Sequence, residues 1–83
     1  MRVVLSPSAQ RDLRRLSSDV ADRVIAALHR LRDNPRPPGC LLLSDSTPPV
    51  WRIRVGDWRV LYEISDEAAV VRVTGVRHRS KAY

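Results

Sequence analysis

Val50-Trp51-Arg52-Ile53-Arg54-Val55-Gly56-Asp57-Trp58-Arg59-Val60-Leu61-Tyr62-Glu63-Ile64 is the stretch that decides the fold. Both halves alternate in period two, as strands with one buried and one open face do, and Gly56-Asp57 between them is a two-residue hairpin signal. Such a loop sets the register. Val55 pairs with Trp58, Arg54 with Arg59, Ile53 with Val60, Arg52 with Leu61 and Trp51 with Tyr62. Because successive side chains point to opposite faces, Trp51, Ile53, Val55, Trp58, Val60, Tyr62 and Ile64 form an apolar surface. Arg52, Arg54 and Arg59 share the other face.

Downstream, Val70–Val76 is a third β-branched run. Pairing it through a turn at Asp66-Glu67 puts Val71 and Val73 on the apolar side and Arg72 on the open side. The opposite parity would bury an unpaired guanidinium, which is costly. Gly75 is placed to mark a bulge that redirects the basic segment Arg77-His78-Arg79-Ser80-Lys81.

Upstream, Arg2–Leu5 reads as a strand, and Ser6 caps a helix whose first position is Pro7. Ala9, Leu13 and Leu16 form one helical stripe. Ser17-Ser18-Asp19 supplies a turn and a fresh cap, after which Val20, Val24, Ala27, Leu28 and Leu31 define a second, longer helix. That helix ends near Asn34, because Pro35 disfavours helical geometry in the residue before it. Residues 36–49, rich in Pro and Ser, read as a loop around Leu41-Leu42-Leu43 that pins a short extended piece to the core. The whole is a single α+β domain over residues 1–83. An N-terminal strand and a helix hairpin precede a three-strand antiparallel meander, and the helices pack on one face of the sheet.

The chain has 83 residues, 43% of them hydrophobic, which allows one small core and leaves room for a stabilising partner. Cys40 is the one cysteine, so a disulfide or Cys/His metal framework is excluded and no cofactor is expected. The N-terminus lacks the apolar segment of a signal peptide and no run is long enough to span a membrane, so a cytoplasmic location is expected. The formal charge is +6, and Lys81 is the single lysine among 15 Lys and Arg residues. Such a surface attracts polyanions, with nucleic acid the leading class, and guanidinium suits bidentate phosphate contacts.

Like charges directly across a strand pair destabilise it, so Arg54 opposite Arg59 calls for an anion between them. The plainer alternative is that the arginines extend into water, screened by Glu63 or Asp57. If the anion is an RNA phosphate attacked by its own ribose 2'-hydroxyl, three things are required. The hydroxyl must lose a proton, the phosphorane must be stabilised, and the leaving 5'-oxygen must gain a proton. Arginine meets the second need and serves the others badly, its pKa being above about 12. By intrinsic chemistry His78 is the best proton carrier, with Tyr83 or Glu63 needing shifted values. Tyr83 also suits stacking on a base. His29, among charged neighbours on the second helix, reads as surface.

The segment from Trp51 to Tyr62, followed by His78-Arg79 and by Tyr83 four residues beyond Arg79, resembles the RelE/ParE toxins of type II toxin–antitoxin systems. The opening strand, the paired helices ending in Asn34-Pro35 and the leucine-containing loop extend the resemblance over essentially the whole chain. It implies a RelE-like, ribosome-dependent endoribonuclease that cuts messenger RNA without metal. On it, Arg52 and Arg54 take the place of a basic strand pair, Arg59 of the phosphate-stabilising arginine, Arg77 of a further basic residue and Tyr83 of a terminal aromatic. His78 is added as a proton carrier, and Arg72, Arg79 and Lys81 as RNA-binding cations. RelE has lysines where Arg52 and Arg54 stand, which argues against either as a simple general base. The resemblance also implies a cognate antitoxin, acidic and partly apolar, laid over the basic face or the outer side of the helices. Operator DNA would be bound through that antitoxin, with this chain as co-repressor. Two rivals share the fold: a ParE-like gyrase inhibitor, and an RNA-binding relative without turnover.

Overall fold

The computed structural model describes residues 1–45 and 47–81. The elements are β1 (Arg2–Leu5), α1 (Pro7–Arg14), α2 (Ser18–Asp33), β2 (Leu41–Ser44), β3 (Val50–Val55), β4 (Trp58–Ser65) and β5 (Val70–His78), closed by a 3-10 turn at Arg79–Lys81. They form one five-stranded sheet of order β1-β5-β4-β3-β2.

Both helix starts follow from their capping chemistry. The Ser6 side chain accepts from the Ala9 N–H at 3.1 Å ahead of Pro7, and Ser17 accepts from Val20 at 3.4 Å. Each hydroxyl satisfies an amide that the first turn would leave unpaired. The apolar stripes then bury Ala9, Val24, Ala27, Leu28 and Leu31 against Ile53, Val55, Val60, Tyr62, Val71, Val73 and Val76 of the sheet.

The β3–β4 hairpin has the register its two-residue loop dictates, with Arg54 opposite Arg59 and Trp51 opposite Tyr62. Gly56 occupies the turn at φ 59°, the left-handed region that a side chain disfavours. The β4–β5 turn is longer than Asp66-Glu67 alone, since Ser65 pairs with Val70 and four residues lie between. The even count preserves the expected parity: Val71 and Val73 are buried, and Arg72 faces Glu63 on the open side.

Two strands complete the sheet beyond the meander. β1 runs parallel to β5, Arg2 opposite Val70 through Leu5 opposite Val73. The leucine segment is a full edge strand, β2, antiparallel to β3. Its α+β layering is as the sequence implies, but the Pro and Ser around Leu41–Ser44 disguise a strand that gains its backbone partners only from β3.

Residues 35–40 are held by Tyr62, fully buried, whose hydroxyl donates to the Pro35 carbonyl at 2.8 Å. Burial, then the neighbouring Cys40, pushes this phenol above its ordinary range, so it stays a neutral donor. Tyr62→Phe leaves that carbonyl without its donor and is expected to cost about 1 kcal/mol in urea denaturation, with the fold retained.

Candidate nucleic-acid interface

The face away from the helices is organised in rows across the strands. Arg54, Arg59 and Arg77 form one row over β3, β4 and β5; Arg52, Leu61 and Gly75 form the next; Glu63 and Arg72 lie beyond. Arg52, Arg54 and Arg59 have no carboxylate partner among the described residues. The Arg59 guanidinium is held below its ordinary pKa, first by burial and then by the charges of Arg54, Arg52 and Arg79. Asp57 at the turn offsets part of this charge, and Arg59 Nη1 donates to the Trp58 carbonyl at 3.4 Å, but none of the three forms an ion pair among the described residues, so donors remain for an approaching anion.

Arg77 reaches this face because of a bulge. Tyr62 pairs with Val73 but Leu61 with Gly75, so Thr74 is an extra residue in β5. Past it the alternation inverts, placing Val76 in the core and Arg77 opposite Arg59. Thr74 fixes the irregularity by donating its hydroxyl to the Leu61 carbonyl at 3.3 Å. The Arg77 guanidinium lies over Gly75, where an added Cβ would sit 3.4 Å from Cζ. Its Nη1 is bound to Asp12 of α1, which also accepts the Val76 N–H at 3.0 Å. Arg77 is therefore at the margin of the cluster and already shares part of its donor capacity.

The same inversion carries His78 the other way. It sits opposite Trp58 on the helix side, its ring edge-on to the indole with centroids 5.3 Å apart. Its Nδ1 is 3.0 Å from the Ser80 hydroxyl and 3.3 Å from the Ser80 N–H. The structure does not bring His78 to the arginine face, and the role of proton carrier beside Arg59 does not fit this placement. The physical reason is that one bulge residue moves two consecutive side chains to exchanged sides.

The flanking cations are more strongly engaged than the central ones. Arg72 bridges to Glu63 at 3.5 Å, and Arg79 lies 3.9 Å from Asp57 while its N–H donates to the Asp57 carbonyl at 2.7 Å. Lys81 lines a cleft of about 390 Å³ with Arg15, Trp58, Arg77 and His78, so Arg77 is common to this cleft and the arginine row. Tyr83 lies outside the described residues. Sequence reasoning missed Asp12, whose only signal is a carboxylate beside the α1 stripe, and Arg23, whose guanidinium crosses Gly56. An added Cβ at Gly56 would stand 2.3 Å from Arg23 Nη2, the far end of a long side chain that can swing aside, so it is the left-handed φ that calls for glycine there.

Comparison with known proteins gives the family of this α+β sheet with an arginine-lined open face. The model described as the ParE toxin of type II toxin-antitoxin system, parDE, matches residues 3–83, and the chain belongs to this family within the RelE/ParE toxin superfamily. The toxin–antitoxin complex RelBE2 from Mycobacterium tuberculosis is similar at 28% identity and TM-score 0.82, over 94% of this chain and 96% of that one. An archaeal RelE–RelB complex from Pyrococcus horikoshii shares the fold at TM-score 0.84 and 22% identity, over 98% and 97%. The isolated E. coli RelE toxin shares it at TM-score 0.79 and 24% identity, over 93% and 82%. No curated protein matches the sequence at significant similarity. No helix among the described residues is long and apolar enough to cross a membrane.

Proposed function

We propose that this toxin acts on messenger RNA, gripping a phosphodiester with Arg52, Arg54 and Arg59 and promoting its cleavage on the ribosome. The observation that carries the proposal is the convergence of these guanidiniums, none of them ion-paired to a carboxylate among the described residues. In the reaction the ribose 2'-oxygen loses its proton and bonds to phosphorus. The bond from phosphorus to the 5'-oxygen breaks and that oxygen takes up a proton, leaving a 2',3'-cyclic phosphate and a 5'-hydroxyl. The arginines stabilise the charge that grows on the phosphorane between these events. They do not move the protons. With His78 turned towards Trp58, Tyr83 is the residue of this chain we assign to that task.

A second use of the same surface has a specific observation in its favour. The matching family model is that of ParE, and the arginine face lacks an uncommitted proton-transfer side chain among the described residues. That combination suits an inhibitor of DNA gyrase, which needs binding and no chemistry. Primer extension on translated messenger, run beside a gyrase supercoiling assay, separates the two. New messenger ends with supercoiling intact are expected; blocked supercoiling with uncut messenger would overturn the proposal.

The similar RelE–RelB and RelBE2 structures are toxin–antitoxin complexes, which supports a cognate antitoxin for this chain. Its segment over the arginine face is acidic, and operator DNA is reached through that partner.

A further inference from the structure

β2 covers only part of β3. Its register starts at Leu41 opposite Arg52, so among the described residues β3 beyond Arg52 has no strand on that side. α2 and the proline segment approach the gap instead. Ala27, Arg30, Pro37, Pro38, Ile53 and Arg54 line a concavity there of about 170 Å³. Arg30 and Arg54 both lack a carboxylate partner among the described residues. Two arginines without an ion-pair partner thus line one concavity beside Ala27, Ile53 and two prolines. Arg23 stands seven residues before Arg30, two turns along the same side of α2, and its guanidinium caps the hairpin at Gly56.

We propose that Arg30 and Arg54 form a second phosphate site, which receives the phosphodiester next to the one held by Arg59 on the same RNA strand. The inference rests on the RNA-directed function above and extends it. Arg54 is shared between the two sites, so a strand held at Arg59 passes over the free edge of β3 and meets α2, with Arg23 further along. Single-stranded nucleic acid is commonly followed in this way by a cationic groove. The proline walls leave room for the ribose and contribute no competing charge.

The test is binding of a single-stranded RNA oligonucleotide with 2'-O-methyl riboses, which cannot be cut by 2'-hydroxyl attack, across a series of salt concentrations. For a single strand, every phosphate that the protein ceases to neutralise lowers the slope of log K against log salt by about 0.7. Arg30→Ala is expected to lower the slope by that amount and weaken binding about two- to fivefold, as for an exposed ion pair. Arg11→Ala, on an exposed side of α1, should leave slope and affinity alone. If Arg54→Ala lowers the slope and Arg30→Ala does not, the RNA face stands and the second site is overturned. An effect of Arg30→Ala on antitoxin affinity, with the RNA slope unchanged, would overturn it equally. If neither variant moves the slope, the RNA-directed function fails with it.

Discussion

Arg59→Ala is expected to slow single-turnover cleavage on programmed ribosomes by about 10²–10³, the range for removing one donor aimed at developing charge. Arg59 is central to its row, with Arg54 opposite on β3 and Arg77 opposite on β5. Burial first, then the charges of Arg54, Arg52 and Arg79, oppose its protonated state, against a smaller opposite pull from Asp57. Removing it relieves that repulsion, so the thermal midpoint should stay level or rise. A structural arginine would behave in the opposite way. An unchanged cleavage rate with a lowered midpoint would remove Arg59 from the chemistry.

Arg54→Glu separates stability from function more sharply. The substitution places a carboxylate directly opposite Arg59 in the hairpin register, turning a like-charge cross-strand pair into an attractive one. Arg30 lines the same concavity as position 54 and gains an opposite charge as well. The domain should therefore melt at a higher temperature. RNA binding loses a donor and gains a repulsive group in one step, and affinity should fall about tenfold or more. Thermal denaturation and RNA titration on the same sample read both quantities. A variant that is less stable, or one that binds RNA as the wild type does, would contradict this picture.

Arg52, Arg54 and Arg59 could be placed on one face from the sequence because a two-residue loop leaves no freedom in the register. Arg72 followed from the cost of burying it. What alternation alone could not supply was the position of the extra residue in β5. Gly75 signals an irregularity, but whether Arg77 or His78 joins the open face depends on Thr74 being the unpaired residue. That pairing is enforced from outside the strand, by the Thr74 hydroxyl on Leu61 and by Ser6, which donates to the Thr74 carbonyl at 3.3 Å. β2 was hidden for a related reason: Leu41–Ser44 has no alternation of its own and is a strand because β3 offers it an edge. The contributions of Arg23 and Arg30 depend on how α2 lies across the hairpin, a tertiary relation that helix periodicity does not encode.

The claim that most depends on the hairpin is that a nucleic-acid phosphate sits among Arg52, Arg54 and Arg59. Arginine Nε–H resonances, followed by NMR while the uncleavable RNA is titrated in, report on it directly. The Nε–H signals of these three should shift first and saturate together, with the Trp58 indole little changed. Shifts at Trp58, His78 and Lys81 with the three arginine signals unmoved would place the RNA on the other side of the sheet and contradict the claim.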